Sequence, residues 1–413
     1  MRLMVYSHDA FGLGNIRRML AICEHLLQEI PHLSILLLSG SPMLQGFRLP
    51  KGLDYIKLPC LNRGKSGEFA VKYLGMNIDE TVKLRSELIL SAAVNFQPDI
   101  FLVDKKPYGI KNELTTAINY LHKYLLKTKL ILLFRDILNT PEKTINEWQD
   151  NSYSEAIDKF YQLLLIVGSQ EVFDFYKEYH LPEKIIDKVH FCGYIRRPQG
   201  CKTSEMIRQE LYLRSEDKLI LVTPGGGEDG YLLVKTYLQG QELLKNHQHC
   251  IKSLVFCGPE MATEQKQELY KLADKYPQVK IREFTDDLMS YVSAADAVVS
   301  MGGYNTICEI LSAEKPAIIV PRIKPSQEQF IRSQRMHDLG LLKSIHPEHL
   351  TPSVLIAQLF EVLDNPQKPK DFDLEGLPRI TRHIRNLLAD KITQSQPELV
   401  YFEQNQSQQL LAS

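Results

Sequence analysis

The sequence has little of what marks secreted, membrane-spanning or nucleic-acid-binding proteins. Its seven cysteines are scattered without a C-x-x-C pair, and several lie in apolar runs, which favours reduced residues in a cytoplasmic protein. No apolar run approaches the roughly 18 residues of a membrane span, and the first residues turn polar too early for a signal peptide. The formal net charge of −1 argues against a general nucleic-acid binder, since such proteins carry a basic excess.

What the sequence does contain is an alternation of short apolar runs with longer amphipathic segments, which predicts right-handed βαβ units and parallel sheets. The alternation is interrupted by a Gly-, Pro- and Arg-rich stretch at 193–204 and then resumes. The predicted strands are RLMVYS (2–7), LSILLLS (33–39), DIFLVD (99–104), KLILLF (129–134), LLLIVG (163–168), KVHFCG (188–193), KLILVTP (218–224), IKSLVFCG (251–258), VKIREF (279–284), DAVVSMGG (296–303) and PAIIVP (316–321).

This pattern predicts an α/β chain with two Rossmann-like domains whose parallel sheets face a cleft. We expect a first domain at 1–194 and a second domain at 195–375, since 413 residues suffice for two cores. A C-terminal helix is predicted at 376–393, where it could return to the first domain. The remaining Gln/Ser-rich segment, 394–413, has the composition of a disordered tail.

Ligands of open α/β sheets bind beyond the carboxyl ends of the strands, so the loops there are the candidate sites. After the first strand, His8 and Asp9 precede a turn relaxed by Gly12 and Gly14. The third glycine of a dinucleotide fingerprint is missing, which makes this a weak NAD site. The loop fits either a tight turn or a place where a sugar or an acceptor approaches the backbone.

The matching loop of the second half carries three consecutive glycines, Gly225, Gly226 and Gly227. Three glycines in a row cost conformational entropy that a plain turn does not require. We therefore favour contact with a phosphate or a sugar here. Further along, Phe284 and Thr285 could present a ring face and backbone groups to a nucleobase, although a core Phe beside a helix cap explains them equally well.

The segment SMGGYNTICEIL (300–311) places Gly302 and Gly303 before a helix. A helix N-terminus offers free N–H groups and partial positive charge to an anion. Asn305 and Glu309 are four residues apart and share a face, so the Glu309 carboxylate is placed to accept both hydroxyls of a ribose. A solvated surface carboxylate is the alternative.

In the second half, the order of these motifs resembles family 28 glycosyltransferases, which have the GT-B fold. The resemblance covers most of 194–340, and in the first half of the chain it is weaker. It rests on GGG (225–227), EFTDDL (283–288), GGYNTICE (302–309), KPAIIVP (315–321) and QEQ (327–329), with FGLGNIRR (11–18) and GYIRRP (193–198).

The resemblance implies a donor site in the second domain and an acceptor site in the first. In it, Glu309 would hold the ribose, Phe284 and Thr285 would line the base pocket, and the glycines would cradle the diphosphate. Arg196 would approach the phosphates. The full donor set is Arg196, Gly225, Gly226, Gly227, Phe284, Thr285, Gly302, Gly303, Asn305, Thr306, Glu309, Glu328 and Gln329, of which Glu328 and Gln329 would reach the sugar.

The first glycine loop, Gly12 to Asn15, departs from the family, which commonly has a His at the position of Asn15. An Asn cannot act as a base at neutral pH, so His8, Asp9 or Asp104 would have to take the acceptor's proton. No metal site is predicted, because the single D-x-D, Asp371 to Asp373, lies in a linker-like stretch.

The resemblance implies a glycosyltransferase that moves a hexose-type sugar from a nucleoside-diphosphate sugar to an unidentified hydroxyl acceptor. The expected donor is a UDP-sugar. The reaction would be inverting and independent of metal and cofactor. The acceptor could be a glycan, a small molecule or lipid-linked, and a lipid-linked acceptor would bring the protein to the inner face of the membrane. Two alternatives stay open: a nucleotide-sugar epimerase or hydrolase of the same fold, and a non-catalytic nucleotide-sugar-binding protein.

Overall fold

A computed structural model describes residues 1–8, 14–63, 69–245, 248–365 and 372–394. The strands are β1 (Arg2–Ser7), β2 (Ser34–Ser39), β3 (Leu53–Lys57), β4 (Leu61–Arg63), β5 (Phe69–Val71), β6 (Ile100–Asp104), β7 (Lys129–Arg135), β8 (Tyr161–Val167), β9 (Val189–Phe191), β10 (Lys218–Thr223), β11 (Ile251–Phe256), β12 (Val279–Arg282), β13 (Ala297–Ser300), β14 (Ala317–Ile319) and β15 (Lys343–Ser344).

The helices alternate with these strands as the apolar pattern predicts. They are α1 (Gly14–Glu29), α2 (Ile78–Phe96), α3 (Thr115–Tyr124), α4 (Pro141–Asp150), α5 (Tyr153–Phe160), α6 (Phe175–Glu178), α7 (Glu183–Ile186), α8 (Ser204–Glu210), α9 (Tyr231–Gln239), α10 (Gln241–Leu244), α11 (Thr263–Ala273), α12 (Leu288–Ala294), α13 (Tyr304–Ser312), α14 (Glu328–Asp338), α15 (Pro352–Asp364) and α16 (Gly376–Gln394).

Two parallel sheets form the framework of the molecule, which confirms the predicted α/β architecture. The first sheet has seven strands in the order β3-β2-β1-β6-β7-β8-β9, and the second has six in the order β12-β11-β10-β13-β14-β15. In both sheets the strand order reverses beside the first strand of the domain, β1 or β10. Such switch points open a crevice at the carboxyl edge, which is where α/β proteins bind ligands.

The central strands are apolar on both faces because helices cover both faces of each sheet. All five residues of β6 and all four of β13 are buried. The edge strand β3 is half-exposed and lacks a continuous apolar run, so the sequence pattern did not predict it. The antiparallel pair β4-β5 lies in a segment that sequence analysis did not predict as strands.

One apolar cluster extends through both domains. It includes Ile16 of α1, Ile307 of α13 and Ile380 of α16, all fully buried. The C-terminal helix α16 packs on α1. The ring centre of its His383 lies 4.5 Å from that of His190, the middle residue of β9. The last helix therefore returns to the first domain, as the sequence suggested.

The switch from the first sheet to the second falls between β9 and β10. The predicted boundary at 194/195 lies within this connection and stays a prediction. Residues 395–413 of the predicted tail lie outside the described residues.

Candidate functional site

A cavity of about 900 Å³ lies between the carboxyl edges of the two sheets. Its walls come from loops that follow β6 and β7 in the first domain and β10, β11 and β13 in the second. This volume is typical of pockets that enclose a small-molecule ligand. All but two of the predicted donor residues line it; the two exceptions are Gly302 and Arg196.

The glycine loop after β10 lies directly against the loop after β11. Gly227 has a φ of +96°, and a Cβ on it would lie 2.4 Å from the carbonyl oxygen of Cys257. The carbonyl of Gly226 accepts a hydrogen bond from the N–H of Glu260 at 2.8 Å. Glycine is therefore required at position 227 by the close approach of two backbones, and a hydroxyl side chain would not fit there.

Helix α13 begins beside this glycine loop without a side-chain cap. Its N-cap is Gly303, which makes no side-chain hydrogen bond to the first turn, in contrast to the Asn77–Glu80 capping box of α2. The Thr306 hydroxyl lies 3.7 Å from the position that a Cβ on Gly225 would take. The free N–H groups of α13 and the glycine loop thus face one end of the same cavity.

Glu309 is buried in the cavity wall with one carboxylate oxygen engaged. Its Oε1 accepts a hydrogen bond from Nη2 of Arg17 in the first domain at 2.6 Å. Its Oε2 is buried and has no hydrogen-bond partner among the described residues. Because a buried polar atom without a partner is costly, Oε2 marks a place for a donor group such as a hydroxyl.

Both polar atoms of the Asn305 side chain make contacts within the protein. Its Oδ1 accepts a hydrogen bond from Arg197 at 2.5 Å, and its Nδ2 donates to the carbonyl of Gly14 at 2.9 Å. The amide therefore joins the start of α13 to the first glycine loop. Its geometry makes Asn305 a bridge between the domains, and its contact with the donor stays a prediction that would use the second N–H or the second lone pair of the amide.

Phe284 and Thr285 lie at the rim of the cavity. The Phe284 ring is 57% exposed, so the alternative interpretation of a core residue is wrong. The Thr285 hydroxyl accepts a hydrogen bond from the N–H of Asp287, and Asp287 caps α12. An exposed ring at the mouth of a pocket is available for stacking on an aromatic ligand.

Glu328 and Gln329 open helix α14 on the cavity wall. Glu328 forms ion pairs with Arg135 of the first domain and, at 3.7 Å, with Arg322. Burial alone would raise the pKa of Glu328, but Arg135, Arg332 and Lys105 together hold it below its usual value. Gln329 Oε1 accepts a hydrogen bond from the backbone N–H of Arg322 at 3.1 Å.

Two predicted donor residues lie elsewhere. The Arg196 side chain is 54% exposed and faces Glu375 at 3.9 Å, so it lies outside the cavity. Gly302 packs against α14, since a Cβ on it would lie 2.6 Å from the Ser333 hydroxyl. Gly302 is thus required for helix packing, and the structure does not bring Arg196 to the predicted diphosphate position.

Two of the predicted bases, His8 and Asp104, lie behind the first-domain wall. Asp104 is fully buried and accepts a hydrogen bond from Arg18 at 2.6 Å. His8 is buried, with Nδ1 unpartnered among the described residues. Burial, together with Lys105 and Lys106, lowers the pKa of His8 well below its usual value, so its imidazole is neutral at neutral pH. Asp9, like Gly12, lies outside the described residues.

Lys105 is a cavity residue that sequence analysis missed. It follows β6 with a φ of +73°, a strained backbone conformation of the kind found at functional sites. Burial and the nearby Arg135 lower the pKa of its ammonium group to about 8. The pair Lys105-Lys106 directly after an apolar strand was the signal available in the sequence.

The two cavity walls carry opposite charge. Among the described lining residues, the acidic side chains of the first domain are limited to Glu147, and the basic ones of the second to Arg322. The first-domain cations are Arg17, Arg18, Arg48, Lys105, Lys106 and Arg135, and the second-domain carboxylates are Glu228, Asp229, Glu260, Glu283, Asp286, Glu309 and Glu328. The walls therefore attract each other across the cleft.

Within the described ranges, no group of three or more His, Cys, Asp or Glu side chains is placed to hold a metal ion. Asp373 of the D-x-D sequence pairs with Arg379 near the start of α16, and Asp371 lies outside the described residues. None of the described helices is both long and apolar enough to cross a membrane.

The second half of the chain is similar to a known protein family. Residues 219–376 match the model of the glycosyltransferase family 28 C-terminal domain. The second domain is thus similar to the C-terminal domain of family 28 glycosyltransferases. The match confirms the family resemblance read from the sequence, and α13 and the glycine loop lie within the matched residues.

Curated relatives of the family 28 domain include two proteins of Haemophilus influenzae. Both are named UDP-N-acetylglucosamine–N-acetylmuramyl-(pentapeptide) pyrophosphoryl-undecaprenol N-acetylglucosamine transferase. One is 24% identical over 237 residues, covering 53% of this chain and 62% of the relative. The other is 34% identical over 196 residues, covering 43% and 53%. The matched parts thus span about half to three-fifths of these relatives.

Solved structures are similar over nearly the whole chain. MurG of Acinetobacter baumannii has a TM-score of 0.58 at 16% identity, covering 94% of this chain and 99% of MurG. The UDP-GlcNAc 2-epimerase of Methanocaldococcus jannaschii has a TM-score of 0.61 at 14% identity, covering 94% and 100%. At these identities the similarity shows the fold alone, and it confirms the predicted GT-B arrangement.

Proposed function

We propose that this protein is a glycosyltransferase that moves a hexose-type sugar from a nucleoside-diphosphate sugar to a hydroxyl acceptor. The donor that we expect is a UDP-sugar. One observation carries the proposal. The glycine loop and the uncapped start of α13 face the same cavity as the free Oε2 of Glu309. Tyr304 and Glu309 are separated by roughly 7–8 Å along the helix, at about 1.5 Å per residue, which suits a diphosphate joined to a ribose.

In this proposal the donor lies along α13. The diphosphate accepts hydrogen bonds from the glycine-loop amides and from the helix N-terminus, which carries partial positive charge. A ribose hydroxyl donates to Oε2 of Glu309. The nucleobase stacks on the exposed Phe284 ring, and the sugar extends toward Glu328 and Gln329.

The transfer itself is a displacement at the anomeric carbon. The acceptor oxygen forms a bond to that carbon while the bond between the carbon and the diphosphate oxygen breaks, and the nucleoside diphosphate leaves with the electron pair. Attack from the face opposite the leaving group inverts the configuration. The hydroxyl proton passes to a base. His8 is neutral and its Nδ1 has no partner among the described residues, so it has the chemistry for that task, but its ring lies behind the cavity wall and would have to gain access to the cavity to reach the acceptor. Asp104 is held by Arg18.

The acceptor belongs on the first-domain wall in this account. Cations dominate that wall, so an acceptor with a negatively charged group would be attracted to it. The Haemophilus relatives are named for a pyrophosphoryl-undecaprenol acceptor. A lipid-linked acceptor would place this protein in the cytoplasm at the inner face of the membrane.

Product analysis tests the proposed reaction. Purified protein is incubated with UDP-sugars alone and with a panel of hydroxyl acceptors, including polyprenyl-phosphate-linked sugars, and products are identified by mass spectrometry. We expect UDP and a glycosylated product only when an acceptor is present. An epimerised sugar formed from UDP-sugar alone would favour the activity named for the Methanocaldococcus structure and contradict the transferase proposal.

Donor binding should not require a divalent metal. The diphosphate charge is assigned to backbone amides, the α13 N-terminus and cavity cations, so EDTA should change the UDP dissociation constant by less than about twofold. Calorimetry in EDTA and in Mg²⁺ measures this. Loss of binding in EDTA, restored by Mg²⁺ or Mn²⁺, would show that the charge is instead neutralised by a metal ion.

A further inference from the structure

Arg17 reaches from the first domain to the donor helix of the second. It lies in the first turn of α1, which begins at Gly14, and its side chain is 37% exposed where it lines the cavity. The Gly14 carbonyl accepts a hydrogen bond from Asn305, the second residue of α13. The first turns of α1 and α13 therefore meet, and this contact brings Arg17 onto the helix whose N-terminus faces the cavity.

Among the described residues, Glu309 is the partner that the Arg17 guanidinium has, which leaves most of its N–H groups without a described partner. It engages a single atom, Nη2, at 2.6 Å from Oε1, whereas a guanidinium carries further N–H donors in a fixed plane. The same plane can hold a carboxylate through one edge and an anion through another. Glu309 thus holds one edge of the guanidinium, and Arg17 lines the cavity with donors that have no partner among the described residues.

Other arginines near the proposed diphosphate position are committed elsewhere. Arg18 is buried and donates to Asp104 at 2.6 Å. Arg197 is buried and donates to Asn305 at 2.5 Å. Arg322 donates to Asp229 at 3.0 Å, and Arg196 faces solvent. Arg135 pairs with Glu328 of α14. Of the cavity-lining arginines in the described part of the chain, Arg17 is the one that pairs with a carboxylate of α13.

We propose that Arg17 binds the diphosphate of the donor and that Glu309 positions it for this purpose. This inference rests on the proposed function, because it assigns a residue to the donor's leaving group. Glu309 then has two tasks, with Oε2 on the ribose and Oε1 on Arg17. The leaving group receives its positive charge from the first domain, so the donor's phosphates are fully bound only when the two domains are together.

If Arg17 binds the diphosphate, it contributes to the affinity for UDP but not to the affinity for uridine. An Arg–phosphate hydrogen bond is charge-assisted and among the stronger polar contacts. In Arg17→Gln, affinity for UDP should fall at least tenfold, while affinity for uridine, which has no phosphate, should change by less than about threefold. Arg17→Lys keeps the charge but loses the planar fork, and it should recover part of the UDP affinity.

Calorimetry with UDP, and competition of uridine against UDP, measure both affinities for native protein and each variant. Arg214→Gln is the matched control, since Arg214 is 67% exposed on the second domain and its loss removes the same charge away from the cavity. Melting temperatures confirm that the variants are folded. The proposal is supported if the affinity of Arg17→Gln for UDP falls strongly while its affinity for uridine stays close to that of native protein.

Two other outcomes overturn it at different levels. If native protein binds UDP but Arg17→Gln weakens UDP and uridine by the same factor, or weakens neither, then Arg17 is not a phosphate ligand and the proposed function stands without it. If native protein binds neither UDP nor any other nucleoside diphosphate, the proposed function fails, and the role of Arg17 fails with it.

Discussion

Replacement of Glu309 by alanine should weaken UDP binding at least tenfold. The change removes the oxygen assigned to the ribose and the carboxylate that orients Arg17. A charge-assisted hydrogen bond contributes about 1.5–3 kcal/mol, and about 1.4 kcal/mol corresponds to a factor of ten. Calorimetry of UDP binding to native and variant protein measures the effect.

The control is Glu361→Ala, which removes an ion-paired carboxylate from another second-domain helix. Glu361 lies on α15, is 48% exposed, and pairs with Lys343 at 2.7 Å. The UDP affinity of the Glu361→Ala variant should stay within about twofold of that of native protein. If Glu309→Ala behaves like this control, Glu309 is a structural carboxylate and the ribose assignment is wrong.

Replacement of Asp136 by alanine should give the largest loss of stability. Asp136 follows β7 in the first domain and is fully buried with Arg332 of α14. It accepts hydrogen bonds from Arg332 at 2.5 and 2.7 Å and from the Tyr194 hydroxyl at 2.6 Å. Removing one partner of a buried ion pair leaves the other charge uncompensated, which costs about 3–5 kcal/mol.

Urea denaturation of native protein and Asp136→Ala measures this loss. The exposed Asp158 is the matched control, because it lies 3.6 Å from Lys188 and is 44% exposed. Exposed ion pairs contribute about 0–1 kcal/mol, so Asp158→Ala should be close to native. A loss below about 1 kcal/mol for Asp136→Ala would show that the buried network does not hold the domains together.

The two sheets and the glycine loops were predictable because their signals are local. Buried parallel strands read as short apolar runs, and consecutive glycines such as 225–227 stand out against any helix or strand pattern. The N-terminus of α13 was visible for the same reason, as two glycines before an amphipathic segment. The predicted face of this helix also put Glu309 on the cavity wall.

The contacts between the domains were not predictable in this way. Arg17 and Glu309 are 292 residues apart in the chain, and Asp136 and Arg332 are 196 apart. No periodicity connects such positions, and their pairing depends on how the two sheets meet. Asn305 shows the consequence: its type and position suggested a ligand contact, but its amide is used to join the domains.

Arg196 and Arg197 are neighbours in the chain, but one is exposed and the other is buried. Ile195 forms an isolated antiparallel bridge with Glu375, so the backbone there is extended and successive side chains point to opposite sides. Ile195 and Arg197 are buried, whereas Arg196 between them is exposed. The sequence analysis named Arg196, whereas the residue that contacts Asn305 of α13 is Arg197, so a shift of one residue decides which side chain faces solvent.

The most direct test of the account is whether Glu309 holds the ribose of a nucleoside diphosphate in this cavity. Native protein and Glu309→Ala are each titrated with UDP and with 2′-deoxy-UDP in a calorimeter. We predict that the deoxy ligand binds less tightly to native protein and that the two ligands bind the variant almost equally, because the contact is already lost. Equal penalties for the missing hydroxyl in both proteins, which would make the two changes additive, would contradict the assignment of Glu309 and the nucleotide site built on it.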